Sequence, residues 1–215
     1  PVLCAWQDDV PMVVISGQNS LNETVRHSGI VVRTFGQQEA DIIGLVSPIT
    51  KYAVMIENPA RIAYEMDKAL FLAQFGRKGP VWIDVPLDVQ NMRVEPETLE
   101  RFYPETRSLS ASDTDVDYVV KELRTAQRPV ILIGSGVRSA GAGDLLKNLL
   151  KEHPFPVVYA NSAVDVLDSR DSVAIGAVGT MAANRAGNFA LQNADLVLVL
   201  GCRMSSMITG ADKDK

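Results

Sequence analysis

The stretch GRKGPVWIDVPLDVQ, residues 76–90, decides how the first part of this chain folds. Residues 81–85 are apolar, β-branched or aromatic except for one aspartate, and Gly79-Pro80 and Pro86 bound them on either side. Such a run between turn residues is typical of a buried strand. Because proline has no amide hydrogen to donate to a neighbouring strand, Pro86 should end the sheet pairing. The stretch therefore predicts a buried strand that is entered and left through tight turns.

The segment before this strand has the spacing of a helix. Between Asn58 and Phe75, apolar side chains recur on one face and charged side chains lie off it. The apolar face consists of Ile62, Met66, Ala69, Leu70 and Ala73. A helix, a tight turn and a buried strand in this order predict the closing unit of an α/β layer.

The composition supports an α/β fold without a nucleic acid partner. With 215 residues, 47% of them hydrophobic, the chain can form one large domain or two modest ones. Aromatic residues make up only 6%, so aliphatic side chains must fill the core, as in parallel sheets covered by helices. The formal net charge is −5 and no dense basic cluster opposes it, which argues against nucleic acid binding.

Cysteine usage and the chain ends suggest a cytoplasmic protein and a partial domain. Cys4 and Cys202 lie far apart, so we expect two free thiols in a reducing compartment. No apolar run is long enough to cross a bilayer and no signal peptide is visible, so we expect no membrane partner. The chain begins at Pro1 in apolar residues and ends soon after a strand, and we therefore expect a fragment of a longer protein.

The remaining periodicity divides the chain into two units. In residues 1–92 the pattern predicts strands at 12–16 and 52–56, a surface loop at 18–33 and a short helix at 37–46. Residues 93–112 are rich in Pro, Glu, Ser and Thr and predict a linker.

Residues 113–215 alternate strands with helices. A helix capped by Ser112 or Asp113 comes first, followed by apolar runs that predict strands at 129–133, 156–159 and 195–201 and by helices at 143–152 and 184–192. This alternation predicts a Rossmann-like, doubly wound parallel sheet.

A glycine loop follows the first of these strands. Gly134-Ser135-Gly136-Val137-Arg138 could let a nucleotide pyrophosphate approach backbone amides at a helix start. The dinucleotide fingerprint needs a third glycine at position 139, where Ser139 stands. From the residues alone, the loop is a weak indication of nucleotide binding.

The stretch at 76–89, read as Gly-Arg-x-Gly-Pro-Val-x-Ile-Asp-x-Pro-x-Asp-Val, resembles the end of the pyrimidine-binding domain of thiamine diphosphate (ThDP) enzymes. The resemblance is to the group that contains acetolactate synthase, oxalyl-CoA decarboxylase and benzaldehyde lyase, and it covers nearly the whole chain. It implies that residues 1–92 are the C-terminal part of that domain. It also implies that residues 113–215 are most of the Rossmann-like central domain, which would be truncated.

A second segment, Phe35-Gly36-Gln37-Gln38-Glu39-Ala40-Asp41, resembles the family's Phe-Gln-Glu-Ala-Asp. The resemblance implies that Gln38 is catalytic, lying over the thiazolium and facing the bound 2-oxo acid. Gln37 replaces the usual phenylalanine, which leaves the shape of the substrate pocket open. A neutral amide can donate to a developing oxyanion without repelling the substrate carboxylate. Without the resemblance, the two glutamines would be interpreted as helix-capping residues.

The resemblance also implies a nucleotide site in the central domain. Synthases of the group place FAD, and other members ADP, against the loop of Gly134, Ser135, Gly136 and Arg138 and the later Gly201 and Arg203. Here Gly-Ala-Val-Gly, residues 176–179, replaces the family's Gly-Met-His-Gly, so the histidine is missing. Gly-Cys-Arg-Met-Ser-Ser-Met, residues 201–207, replaces Gly-Ala-Arg-Phe-Asp-Asp-Arg, so two aspartates and a second arginine are missing. We therefore expect no tight FAD binding of the synthase type, although Arg203 can still make a forked contact with phosphate.

For the full-length protein, the resemblance implies an enzyme that uses ThDP and Mg²⁺. It would decarboxylate a 2-oxo acid such as pyruvate and pass the product to a carbonyl acceptor or a proton, as a homodimer or homotetramer. The family's glutamate would lie before Pro1 and its Mg²⁺ motif after Lys215, so we expect these 215 residues alone to be inactive and to hold no metal. The alternatives are another branch of the family, a carbon–carbon lyase or hydrolase, or a nucleotide-binding or structural Rossmann-like module.

Overall fold

The computed structural model describes residues 1–105 and 110–210, and it contains two compact units, residues 1–109 and 110–215. Residues 106–109 of the predicted linker and 211–215 of the predicted central domain lie outside the described residues. Each unit has its own parallel sheet, with three strands in the first and four in the second. The predicted α/β class with parallel sheets is confirmed.

The first unit surrounds a three-stranded sheet with short helices. Its strands are β1 (Met12–Gln18), β2 (Tyr52–Met55) and β3 (Pro80–Pro86), all parallel and ordered β1-β3-β2. Its helices are α1 (Val2–Gln7), α2 (Val25–Ser28), α3 (Ile42–Val46), α4 (Ile62–Gln74) and α5 (Leu87–Gln90), with 3₁₀ turns at Leu21–Glu23, Ser47–Ile49, Pro59–Arg61 and Pro96–Thr98.

The central strand of this sheet is the one predicted from residues 76–90. Val81 and Ile83 of β3 are fully buried, and they pack in one cluster with Ala69 and Ala73 of α4. The strand ends at Pro86, as the missing amide hydrogen requires. Leu70, assigned to the apolar face of the helix, is 44% exposed, so that part of the prediction was wrong.

Between β1 and β2 the structure departs from the sequence prediction. The segment predicted as an irregular loop contains a 3₁₀ turn and α2, and it buries Thr24. Helix α3 begins at Ile42 instead of residue 37, because the Asp41 carboxylate caps it by accepting from the Gly44 amide at 3.2 Å. Strand β1 does not end at residue 16, as predicted, but stays paired with β3 as far as Gln18.

Part of the predicted linker lies on α4. The Phe102 ring packs edge-on against Tyr64, with ring centroids 5.4 Å apart, and at a tilt against Phe71 at 5.8 Å. Arg101 forms an ion pair with Asp67, with Nε and Oδ2 2.7 Å apart. These residues therefore belong to the first unit.

The second unit has four parallel strands with helices between them. The strands are β4 (Pro129–Ile133), β5 (Val157–Tyr159), β6 (Ala174–Ala177) and β7 (Leu196–Leu200), ordered β6-β5-β4-β7. The helices are α6 (Asp113–Thr125), α7 (Gly136–Ser139), α8 (Gly143–Glu152), α9 (Arg185–Asn193) and α10 (Ser206–Thr209), with a 3₁₀ turn at Asn161–Ala163.

This strand order makes the sheet doubly wound. The chain runs outward from β4 through β5 to β6, then crosses to the opposite side of β4 to form β7. Ligands of such sheets bind beyond the carboxyl ends of the strands at this reversal, which here falls between β4 and β7. The sequence did not predict β6, whose pairing with β5 changes register at Val157 and Val158.

The core of the second unit lies on both faces of β4. Ile131 and Ile133 pack with Leu146 and Leu150 of α8 on one face. Val130 and Leu132 pack on the other, and Ala190 and Leu191 of α9 lie against them. Coverage on both faces is the arrangement expected of a parallel strand rich in aliphatic residues.

Helix α6 begins as predicted, but its apolar stripe is only partly covered. The Ser112 hydroxyl accepts from the Asp115 amide at 3.2 Å and so caps the helix. Val116 and Val120 on this stripe are 48% and 38% exposed.

Candidate functional site

The turn that carries Gln38 lies near the carboxyl ends of β1 and β3. Gln38 is exposed and has φ of +58°, the left-handed conformation that residues other than glycine rarely adopt. Such a conformation persists where the surrounding structure holds it, and it is common at functional sites. The contacts that hold this turn therefore set the position of the Gln38 side chain.

The carboxylate of Glu39 holds the turn from one side. It accepts hydrogen bonds from the amides of Val25 at 2.5 Å, Phe35 at 2.9 Å and Gly36 at 3.3 Å. The bond from Phe35, with those from Val25 and Gly36, lowers the pKa of Glu39 below its ordinary value. Glu39 is therefore ionised at neutral pH and ties α2 to the start of the turn. No role for Glu39 was predicted from the sequence.

Two side chains at the end of β1 hold the turn from the other side. The Gln18 amide donates from Nε2 to the Ala40 carbonyl at 2.8 Å. The Asn19 amide donates from Nδ2 to the Gln37 carbonyl at 3.2 Å. The backbone on both sides of Gln38 is thus bonded to the first sheet.

A buried carboxylate lies beneath Gln18. Asp84 of β3 is fully buried, and its two oxygens accept from Ser16 Oγ at 2.5 Å and Gln18 Nε2 at 3.2 Å. Ser16 Oγ in turn accepts from Trp82 Nε1 at 2.7 Å. Burial raises the pKa of Asp84, and the hydrogen bonds from Ser16 and Gln18 oppose that rise. An aspartate inside an apolar strand was the sequence signal that could have marked this network.

The raised pKa of Asp84 predicts how stability depends on pH. The folded state binds the proton of Asp84 more tightly than the unfolded state does. This difference stabilises the fold below pH 3.8, the ordinary pKa of aspartate, and the stabilisation is lost as the pH rises through the pKa that Asp84 has in the folded state. The free energy of unfolding of the wild-type chain, relative to Asp84→Asn, should therefore decrease from acidic to neutral pH. Urea unfolding across this range measures the difference.

Asp165→Asn provides a control of opposite sign for this measurement. The hydrogen bond from Arg138 lowers the pKa of Asp165, so its stabilisation is present above the ordinary value and is lost as pH falls. A pH-independent difference between wild type and Asp84→Asn would contradict the assignment of Asp84.

The segment that leads into the Gln38 turn carries exposed apolar side chains. Val31 is 100% exposed, and Ile30, Val32 and Phe35 are 43–48% exposed. The Gln38 amide can donate to an oxygen that gains negative charge and can accept from a hydroxyl. An exposed amide of this kind can therefore pair with a carbonyl oxygen of a small substrate.

In the second unit, the structure brings together the glycines predicted to bind a nucleotide. The Gly134 amide donates to the Leu200 carbonyl and the Gly136 amide to the Gly201 carbonyl, both at 2.9 Å. A Cβ added to Gly136 would lie 2.6 Å from Gly201 Cα, and Gly201 has φ of +60°. Close packing of the loop on the end of β7 thus accounts for these glycines.

The two predicted arginines lie at the same end of the sheet as the glycines. Arg138 forms an ion pair with Asp165 and donates to the Ser162 carbonyl at 3.4 Å. Arg203 is exposed and follows Gly201 by two residues, while Ser135 is half-buried. A phosphate prefers free backbone amides at such a loop, but those of Gly134 and Gly136 are already bonded. These residues therefore fit a nucleotide less well than the glycine spacing suggested, and their role stays a prediction.

Within the described residues, no group of three or more His, Cys, Asp and Glu side chains could hold a metal ion. Cys4 and Cys202 are free thiols, as predicted. Across residues 1–105 and 110–210, none of the helices has both the length and the apolar character needed to span a membrane.

Comparison with known proteins identifies the second unit. Residues 116–215 match the family described as thiamine pyrophosphate enzyme, central domain. The second unit belongs to this family. The doubly wound sheet of this central domain agrees with the match, and the predicted resemblance is confirmed.

Curated relatives extend the similarity to the first unit. The chain is 32% identical over 208 residues to the acetolactate synthase large subunit of Lactococcus lactis subsp. lactis, covering 95% of this chain and 34% of the relative. It is 33% identical over 214 residues to that of Corynebacterium glutamicum, covering 98% and 32%. For isozyme 1 of Escherichia coli the identity is 30% over 203 residues, covering 94% and 34%. The chain therefore spans about a third of the length of these relatives.

Proposed function

We propose that this chain is part of a ThDP-dependent enzyme that decarboxylates a 2-oxo acid such as pyruvate and transfers the remaining fragment to a carbonyl acceptor. The observation that carries the proposal is the turn of Gln38, held in a left-handed conformation beyond the carboxyl ends of β1 and β3. The similarity to acetolactate synthase large subunits includes this turn and supports the same substrate class.

Gln38 has the chemistry that such a reaction needs. Its N–H can stabilise the substrate's carbonyl oxygen as negative charge develops there, and its neutral amide does not repel the carboxylate of the 2-oxo acid. When bound, thiamine diphosphate supplies the electron sink for the decarboxylation.

Other parts of the enzyme would hold Mg²⁺ and the diphosphate. The described residues contain no metal-binding cluster, and magnesium needs several oxygen ligands arranged around it. A homodimer or homotetramer in the cytoplasm would supply such residues from a neighbouring subunit. Because the described residues contain no such magnesium site, we expect the isolated 215 residues to show no turnover.

Product analysis tests this proposal. The full-length protein, incubated with pyruvate, ThDP and Mg²⁺, should release carbon dioxide and form a product that joins two pyruvate-derived fragments, as followed by NMR. Cleavage or hydrolysis of a different oxo substrate without this joined product would instead favour the carbon–carbon lyase or hydrolase branch. The observation that favours that branch is Gln37, which replaces the family's phenylalanine and so changes the substrate pocket.

A further inference from the structure

The side-chain amide of Gln18 uses all of its polar groups in one place. Its Nε2 donates both to Asp84 Oδ2 at 3.2 Å and to the Ala40 carbonyl at 2.8 Å. Its Oε1 accepts from the backbone amide of Asn19 at 3.0 Å. The amide therefore connects the interior of the first sheet with the turn that carries Gln38.

Asp84 decides which way this amide points. A flipped amide would place Oε1 against the Asp84 carboxylate and the Ala40 carbonyl, so that acceptors would face acceptors. Asp84 is itself fixed, because it is fully buried and pairs with Ser16 in the register of β1 and β3. The Ser16 hydroxyl donates to the carboxylate and accepts from the Trp82 ring, which leaves this network one arrangement.

The turn depends on such contacts for its conformation. Gln38 has a positive φ that is costly for a residue with a side chain, and nearby hydrogen bonds must offset that cost. Glu39 bonds the beginning of the turn, whereas the Gln18 amide bonds Ala40 at its end. Loss of the Gln18 bond would release one end of the turn while leaving the sheet intact.

We propose that Gln18, oriented by the buried carboxylate of Asp84, is a positioning residue that holds Gln38 in its working conformation. The catalytic consequence rests on the proposed function, because only there does Gln38 face a 2-oxo acid. The structural consequence, a turn held by Gln18, is independent of any activity.

Hydrogen exchange in the 215-residue chain tests the structural part. Gln18→Met keeps the length of the side chain but removes its amide. The amides of Phe35, Gly36 and Glu39 should then exchange about tenfold faster, which is the effect of losing the hydrogen bond between Gln18 and the Ala40 carbonyl of the turn. The matched control is Gln90→Met. Gln90 Nε2 donates to the Val85 carbonyl at 2.7 Å at the end of the same sheet, so its loss should leave exchange in the turn unchanged.

Asp84→Asn is a second variant for the same test. Because the Ser16 hydroxyl donates to Oδ1, the oxygen of the new side chain should stay on that side, so that its amide nitrogen faces the Gln18 N–H group, favours the flipped orientation and releases the same turn. Wild-type exchange at Phe35, Gly36 and Glu39 in both variants would overturn the proposal.

Kinetics of the full-length protein test the catalytic part. Gln18→Met should lower kcat about five- to tenfold with little change in KM for the 2-oxo acid, because a displaced donor weakens transition-state stabilisation. Added to Gln38→Ala, it should have no further effect. An equal loss in both backgrounds would overturn the positioning role, since a merely structural defect acts whether or not Gln38 is present. A full-length protein that consumes no 2-oxo acid would overturn the proposed function, whereas the exchange result would still decide whether Gln18 holds the turn.

Discussion

Gln38→Ala should lower kcat/KM for the 2-oxo acid by about a hundredfold or more in the full-length protein, the usual cost of removing one oxyanion donor. The free energy of unfolding should change little, because the Gln38 side chain is exposed. Steady-state kinetics and urea unfolding of the same preparations measure the two quantities. The combination separates a catalytic role from a structural one.

Gln90→Ala is the control for this substitution. Gln90 is also exposed and also lies at the carboxyl end of the first sheet, but its amide donates to the Val85 carbonyl and not to the turn of Gln38. Its activity should stay close to that of the wild type. Retention of full kcat/KM by Gln38→Ala would mean that the turn does not face the substrate.

Gly201→Ala should destabilise the second unit by about 2 to 4 kcal/mol, from the combined cost of left-handed backbone and overpacking. Gly201 has φ of +60°, and an added Cβ would lie 2.6 Å from the Gly136 carbonyl carbon. Neither backbone can move away easily, because the Gly136 amide bonds the Gly201 carbonyl. Urea unfolding, followed by a probe in the second unit, measures the loss.

Gly143→Ala is the matched control, since an added Cβ there meets no atom within 4 Å. At the start of α8, alanine should leave stability unchanged or raise it by about 0.5 kcal/mol. If Gly201→Ala proved as stable as Gly143→Ala, the loop and the end of β7 would not be packed as described.

The parts of the fold that the sequence predicted are those decided by neighbouring residues. Strand β3 runs from Pro80, after Gly79, to Pro86, and α4 has an apolar face opposite charged side chains, so local chemistry determines both. Strand β6 escaped prediction because it is short and contains Gly176, whose φ is +144°. Such a strand depends on its pairing with β5 more than on its own sequence.

The candidate site was predicted only in part, because it too depends on contacts between distant parts of the chain. The resemblance indicated Gln38, but the residues that hold it act across long separations in the chain. Gln18 bonds Ala40, 22 residues away, and Asp84, 66 residues away. Sequence spacing does not reveal contacts of this kind, because the pairing of β1 with β3 creates them. Close packing between β4 and β7 also requires the glycines at 134, 136 and 201, and their predicted role in cofactor binding stays a prediction.

We propose that the Gln38 turn belongs to an enzyme that acts on 2-oxo acids with thiamine diphosphate. Release of carbon dioxide from pyruvate by the full-length protein, measured with and without ThDP and Mg²⁺, tests it most directly. We expect release only when both are present, and much slower release by Gln38→Ala. Release that is independent of ThDP, or no consumption of any 2-oxo acid with the cofactor present, would contradict it.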